Sequence, residues 1–337
     1  MTAGARHQPR RLPLPAACRA IAALWQPGTV HEGSRRAILA AFVANLGIAI
    51  AKFIGFIITG SAGLLAEAGH SLADTGNQLL LLLGGKRAAR AADTAHPFGY
   101  GRERYFWAFV VALVLFSMGG LFAIYEGIEK LRHPHEVENL PVAIGILVFA
   151  MVLEGFSLRT AYKEAKAHRS TSGRWLHWIR HSKQPELPVV LLEDTGALIG
   201  LVFALVGVSL AHATGNPRWD AVGSLAIGAL LVVIAIVLAI EMKGLLIGES
   251  ASQTDVAKIA QALEHSASVR RIIHLRTEHL GPDQLLVAAK LEFDPSLTVE
   301  QLSGAIDNAE RELRSAVPTA HFVFIEPDVY RAPATTS

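Results

Sequence analysis

The sequence of 337 residues contains a single cysteine, Cys18. One thiol cannot form an internal disulfide, and it cannot supply the thiolate cluster of a structural metal site. Charge is also scarce, since charged residues make up 18% of the chain and the formal net charge is only +2. That excess is too slight to indicate nucleic acid binding. Hydrophobic residues reach 51%, which is apolar for a soluble protein.

Residues 1–36 lack the features of a secretory signal. They contain arginine, proline and histidine with only short apolar runs, and no apolar core precedes a small-residue cleavage site. We therefore expect this segment to be a cytosolic tail.

Six apolar stretches are long enough to cross the hydrocarbon core of a bilayer, which is roughly 30 Å thick. They are residues 37–59, 61–85, 105–128, 141–162, 187–211 and 221–244. Basic residues cluster before the first stretch, between the second and third, between the fourth and fifth, and after the sixth. The positive-inside rule then predicts a six-helix domain over 37–244 with both termini in the cytoplasm. We expect this domain to lie in the cell membrane.

Residues 245–330 show the pattern of a small α+β domain in the order αββαβ, with a ferredoxin-like arrangement. Ser252 and Thr298 are each followed three residues later by a partner typical of a capping box, so each begins a helix. Strand-like runs cover 269–278, 284–293 and 320–326. We expect the helices to pack on one face of the sheet and residues 331–337 to form a disordered tail.

A polar stripe interrupts the second apolar stretch. Glu67, His70, Asp74 and Asn77 follow one another at spacings of three or four, so they share one face of a helix. Ionisable groups at membrane depth are costly and usually line an ion site or a water-filled path. An imidazole one turn from a carboxylate is a ligand pair for a divalent metal such as Zn²⁺.

The fifth stretch adds Glu193 and Asp194. Adjacent residues point about 100° apart on a helix, so only one of the two is expected to face His70 and Asp74 squarely. Lys52 and Glu154 are the other charges well inside the stretches. Lys52 suits a snorkelling or structural role. Glu154 suits a supporting neighbour of the metal ligands, a proton relay or a hydrogen bond between helices.

The segments GLLAEAGHSLADTGNQ and HPFGYGRERYFW, six spans and the αββαβ tail, in this order, resemble the cation diffusion facilitator transporters over residues 34–328. The resemblance implies a homodimer that exchanges a cytosolic divalent cation for protons, with a tetrahedral site on the second and fifth spans. His70, Asp74 and Asp194 fall on positions of that site. The resemblance implies neither an enzyme nor a prosthetic group, and Zn²⁺ is the expected cargo.

The chain also departs from the common pattern of that family. Val190 stands where a fourth ligand is usual, so Glu193 is the nearest substitute, and LLEDTGA resembles the branch that includes mitochondrial zinc exporters. Tyr100 replaces a histidine in the loop motif, and Phe324 replaces one in the tail. We therefore expect the C-terminal domain to bind metal poorly or not at all. Mixed histidine and carboxylate ligands also admit Mn²⁺, Fe²⁺, Co²⁺ and Ni²⁺.

Three functions fit these residues. An antiporter is favoured, because metal binding displaces protons from its ligands and an imidazole titrates near neutral pH. A metal sensor or scaffold that does not transport would bind metal without flux. A membrane-embedded metallohydrolase would use Glu193 as a general base beside a bound water, but no further catalytic motif is present.

Overall fold

The computed structural model describes residues 32–59, 62–134, 140–168 and 182–331. Within these ranges, side chains are described except at 32–36, 56, 58–59, 62–70 and 168. Residues 1–31 and 332–337, which make up most of the two predicted tails, therefore lie outside the described residues.

The membrane part consists of long helices at the six predicted positions. They are α1 (Glu32–Thr59), α2 (Ala62–Ala88), α3 (Glu103–Val114) continued by α4 (Phe122–Arg132), α5 (Leu140–His168), α6 (Glu186–Thr214) and α7 (Arg218–Ile247). Helix α1 packs against α2 and α5, and α6 packs between α5 and α7. Helices α3 and α4 pack against α7, and α2 packs against α3, so the bundle closes around a shared apolar core.

Five of these spans are long and apolar enough to cross a membrane by length and composition alone. They are Ala37–Gly55, Glu103–Arg132, Leu140–Ala167, Glu186–Thr214 and Arg218–Ile247. Helix α2 supplies the sixth predicted span with 27 residues. It is less apolar because its described part carries Asp74, Lys86 and Arg87. Of these, Asp74 belongs to the polar stripe that the sequence predicted.

The third span contains a feature that hydropathy did not predict. A π-helical segment, Leu115–Leu121, joins α3 to α4. Such segments widen one turn of a helix and often occur at functional sites. Here the backbone also comes close to α7, since a Cβ added at Gly228 would lie 2.9 Å from the carbonyl oxygen of Gly120. Glycine is required where two helices approach this closely.

The C-terminal domain has the predicted αββαβ order. It consists of α8 (Gln253–His265), β1 (Val269–Gly281), β2 (Gln284–Phe293), α9 (Val299–Ala316) and β3 (Phe322–Pro327). Strand β2 is central, antiparallel to β1 and parallel to β3. Alternate residues of β2 from Leu285 to Phe293 are buried in one cluster with the apolar faces of α8 and α9. Strand β1 runs three residues beyond its predicted end, as far as the turn.

Both predicted helix caps of this domain are present. The Ser252 hydroxyl accepts a hydrogen bond from the Asp255 amide at 3.1 Å. At α9, the Thr298 side chain accepts from the Gln301 amide at 3.3 Å, and the Gln301 side chain accepts from the Thr298 amide at 2.9 Å. These bonds satisfy amides that the first turn of a helix leaves unpaired.

Candidate functional site

The predicted site residues lie on α2 and α6 at one depth in the bundle. Asp74 is half-buried on α2, and Asn77, one turn further on, is buried. Glu67 and His70 belong to the same helix, but their side chains are outside the described set. The roles predicted for these two residues therefore stay predictions.

Glu193 of α6 is fixed to α2 by two amides. The Asn77 Nδ2 donates to Glu193 Oε1 at 3.0 Å, and the Gln78 Nε2 donates to Glu193 Oε2 at 2.8 Å. Only 4% of Glu193 is exposed, so both carboxylate oxygens are held in a dry environment. Gln78 was not predicted. The adjacent amides in GNQ were the sequence signal that could have identified it.

Asp194 is held on its other side by α5. Its Oδ2 accepts a hydrogen bond from the Ser157 hydroxyl at 2.6 Å. Its Oδ1 is buried and has no hydrogen-bond partner among the described residues. A buried carboxylate oxygen left in this way is costly unless something binds it. Ser157 was also missed, although it lies one helical turn after Glu154.

Glu154 and Lys52 are the remaining buried charges near the site. Glu154 Oε2 is buried without a hydrogen-bond partner in the described part of the chain, and only 5% of the residue is exposed. Lys52 is equally buried, and its Nζ donates to the Ser71 hydroxyl at 3.0 Å. Lys52 thus joins α1 to α2 inside the bundle and does not snorkel to the surface.

Four carboxylates therefore share this part of the membrane domain, and we call them the acidic cluster: Asp74, Glu154, Glu193 and Asp194. They are close enough for their charges to act on one another. Among the side chains that the structure describes, no group of three or more His, Cys, Asp or Glu is arranged to hold a metal ion. The predicted ligand set of His70, Asp74, Asp194 and Glu193 includes His70, whose side chain is outside the described set, so this set stays a prediction.

The loop before α3 is organised by its own hydrogen bonds. Asp93 Oδ1 accepts from the backbone amides of Ala95 and His96 at 2.9 and 2.7 Å, and Oδ2 accepts from the Tyr100 hydroxyl at 2.6 Å. The Tyr100 hydroxyl, followed by the backbone amides, holds the pKa of Asp93 below its ordinary value. The His96 ring packs on Tyr100 at a centroid distance of 4.3 Å. His96 therefore stabilises the turn.

A second charged region lies where the helices meet the C-terminal domain. Arg104 at the start of α3 is 7% exposed and binds both carboxylate oxygens of Glu186 at the start of α6. Its Nη1 lies 3.3 Å from Asp283 Oδ2 in the turn between β1 and β2. One guanidinium thus links two membrane helices to the sheet.

Two more ion pairs complete this region, which we call the junction. Arg102 pairs with Glu278 of β1, and Lys183 pairs with Glu249 after α7. The rings of Phe98 and Phe322 meet edge to face at 5.2 Å. None of the junction partners was predicted from the sequence.

Two family models match the chain in succession. The cation efflux transmembrane domain covers residues 38–247, and the cation efflux protein cytoplasmic domain covers residues 251–330. Together they account for both structural domains described above.

Several curated relatives are about a third identical to this chain over the residues that align. The proton-coupled zinc antiporter SLC30A9, mitochondrial, of Mus musculus is 34% identical over 78% of this chain and 47% of its own length. Metal tolerance protein C4 of Arabidopsis thaliana is 30% identical over 80% of this chain and 59% of its own length. The chain thus spans about half the length of the curated relatives it matches. A solved MamM-CTD structure covers 24% of the chain at 21% identity, with a TM-score of 0.22.

These relatives correct the predicted location. The antiporters from mouse, human, orangutan and Xenopus laevis are all named as mitochondrial, so the expectation of the cell membrane is wrong. The physical reason is that the positive-inside rule orients helices across a membrane but does not identify the membrane. The multi-pass membrane architecture stands.

Proposed function

This chain belongs to the cation diffusion facilitator family of cation efflux transporters, and on that premise we propose that it carries Zn²⁺ across a membrane in exchange for protons. The cation would move from the side of the C-terminal domain to the opposite side. Since the family consists of transporters, it is not an enzyme family, and the metallohydrolase alternative is dropped.

The observation that carries the proposal is the state of Asp194. Its Oδ1 is buried inside the bundle with no hydrogen-bond partner in the described residues, and Ser157 fixes the other oxygen. A cation arriving from solution would supply the missing interaction. Asp74 on α2 lies close enough to act on Asp194 electrostatically, and His70 lies one turn before Asp74 on the same helix. We propose these three residues as the ligands.

Glu193 is proposed as the residue that positions α2 against α6. Both of its oxygens already accept hydrogen bonds, from Asn77 and Gln78. To coordinate the cation directly, Glu193 would have to give up at least one of these bonds. Groups that orient ligands typically change metal affinity by 10 to 100-fold when they are replaced. With Val190 offering no donor atom, we propose a water as the fourth ligand.

Proton exchange follows from the crowding of carboxylates. Metal ligands must be deprotonated to bind, so binding releases protons and protonation releases metal. Glu154 is the proposed proton carrier, because its Oε2 is buried without a partner in the described chain and the charges of Asp194 and Asp74 act on it. Protonation of carboxylates there would relieve repulsion once the cation has left.

Zn²⁺ is the proposed cargo, because imidazole with carboxylates is a ligand set that zinc accepts and the mammalian relatives are named as zinc antiporters. The pairing of a membrane domain with a domain that matches the family's dimer model supports a homodimer.

The test is transport by the purified chain in proteoliposomes with an imposed pH gradient. Zn²⁺ entry should depend on the gradient, and Zn²⁺ should be carried faster than Mn²⁺, Fe²⁺, Co²⁺ or Ni²⁺. Metal binding without flux would support the sensor alternative and overturn the transporter proposal. Flux that is unchanged when the gradient is collapsed would overturn the proton coupling alone.

A further inference from the structure

The outer surface of the bundle has a groove between α5 and α6. Its volume is about 460 Å³, which is within the range of small-molecule sites. The walls include Gly155, Arg159, Tyr162, Leu191, Thr195 and Leu198. The aliphatic side chains and the glycine make an apolar floor, and Arg159 and Tyr162 lie toward one end.

Arg159 lies near the end of the span formed by α5. It is three residues before the end of the predicted apolar stretch 141–162 and eight before the end of Leu140–Ala167, on the side that the C-terminal domain occupies. The long side chain of an arginine near the end of a span extends its guanidinium to the interface, where the lipid phosphates lie. Tyr162, which is 44% exposed, suits the same interfacial layer.

Arg159 carries a charge that the described part of the protein does not balance. It is exposed and makes no ion pair or hydrogen bond with any described residue. The Thr195 hydroxyl does not compete with Arg159 for a bound phosphate, because it already donates to the Leu191 carbonyl oxygen at 2.6 Å. A guanidinium at this boundary suits a phosphate, which it can bind through two parallel hydrogen bonds.

We propose that the groove binds one anionic phospholipid, with the phosphate on Arg159 and an acyl chain along the apolar floor. The positive charge of Arg159 favours an anionic headgroup over a neutral one. Because this charge lies at one end of an apolar groove, the groove favours a lipid over a soluble anion.

The groove also lies directly behind the acidic cluster. Gly155 follows Glu154 on α5, and Thr195 follows Asp194 on α6. A lipid in the groove would contact the same two helices that the Ser157 to Asp194 hydrogen bond joins. The bound lipid would therefore brace α5 against α6 from the outside.

The experiment is native mass spectrometry of the full chain released from nanodiscs that contain equal amounts of dioleoyl phosphatidylglycerol and dioleoyl phosphatidylcholine. We expect the wild type to retain one phosphatidylglycerol with a preference of roughly fivefold over phosphatidylcholine. A basic residue near an anionic surface contributes about that factor, equivalent to about 1 kcal/mol. Equal retention of the two lipids by the wild type would overturn the proposal.

Three variants sharpen the result. Arg159→Gln should abolish the preference, whereas Arg159→Lys should keep most of it. Gly155→Leu should weaken retention of both lipids, because a Cβ at Gly155 meets no protein atom within 4 Å and the larger side chain would occupy the groove.

The matched control is Lys243→Gln, which removes an exposed charge from α7 near the same side of the membrane. If Lys243→Gln lowers the preference as much as Arg159→Gln does, the effect is general surface charge and the site is refuted.

Discussion

The acidic cluster and the junction each contain buried charges, but they balance these charges differently. In the junction each described cation has a carboxylate partner, and Arg104 has two. In the acidic cluster four carboxylates share a volume with the buried Lys52. Asp194 and Glu154 each retain a buried oxygen without a partner among the described residues. The paired charges of the junction hold the two domains together, whereas the unpartnered oxygens of the acidic cluster are the ones that we propose to interact with a cation or a proton.

Removing one of the three proposed ligands should have the largest effect. We expect His70→Ala, Asp74→Ala and Asp194→Asn each to reduce metal flux below a tenth of wild type for every metal, while the protein still folds. Metal-loaded proteoliposomes measure the flux, and size-exclusion chromatography checks the fold. The control is Asp220→Asn. Asp220 lies at the start of α7, and its carboxylate pairs with Lys130 of α4. If Asp194→Asn retains wild-type flux, the site assignment is wrong.

Breaking the junction should lower stability more than it lowers metal affinity. Arg104→Met leaves the Glu186 carboxylate buried without its cation, which costs about 3–5 kcal/mol of unfolding free energy. Denaturant unfolding in detergent measures this loss. Arg102→Met is the matched control, because its pair with Glu278 is 44% and 38% exposed and should contribute less than about 1 kcal/mol.

A double variant tests whether the loss of stability comes from the unpaired charge of Glu186. Arg104→Met combined with Glu186→Leu should recover most of the lost stability, since replacing both partners removes the buried charge. Failure of the double variant to recover would show that Arg104 acts mainly through Asp283.

Replacing Glu193 tests whether this residue binds the metal directly or positions α2 against α6. Glu193→Gln should weaken zinc affinity by about 10 to 100-fold and leave measurable transport, because its oxygens orient α2 through Asn77 and Gln78. Isothermal titration and flux measure the two effects. Complete loss of binding would make Glu193 a direct ligand. Unchanged affinity with an unchanged pH profile would make it structural, with Glu154 the next residue to test.

The C-terminal domain should also weaken in acid through His279, a buried residue of β1 next to Glu278 of the junction. Burial, followed by the nearby Lys183 ammonium, lowers the pKa of His279 below its ordinary value near 6.5. The unfolded chain therefore binds a proton at this residue before the folded chain does, so stability should fall as the pH drops below about 6.5. The slope contributed by one proton reaches about 1.4 kcal/mol per pH unit.

Thermal unfolding between pH 7.5 and 5.5 measures this dependence. His279→Gln should flatten the curve, and the exposed His274→Gln should leave it unchanged. An identical pH dependence in both variants would assign the acid sensitivity to another group.

The smallest expected effect concerns metal in the C-terminal domain. Phe324 of β3 is 55% exposed and offers no donor atom. The isolated fragment 244–337 should therefore dimerise without metal and give no submicromolar zinc binding by calorimetry. A stoichiometric zinc site in that fragment would contradict the prediction, because metal binding would then not be confined to the membrane domain.

Local signals in the sequence were enough to predict much of this fold. The caps at Ser252 and Thr298 and the alternation of β2 depend on neighbours within a few residues, so they were read correctly. Contacts between distant segments could not be read in that way. Arg104 meets partners 82 and 179 residues away. The bonds of Gln78 and Ser157 depend on how each helix is rotated, which hydropathy does not specify.

The π-helical segment has a practical consequence for mapping the third span. One residue added within a helix turns everything beyond it by about 100°. A periodicity counted from Glu103 therefore assigns the wrong face to residues after Leu121. A cysteine-accessibility scan of this span should show two phases that meet between Leu115 and Leu121. Alignments with relatives that lack the extra residue need a gap at that point, because otherwise every position assigned on α4 would be rotated by about 100°.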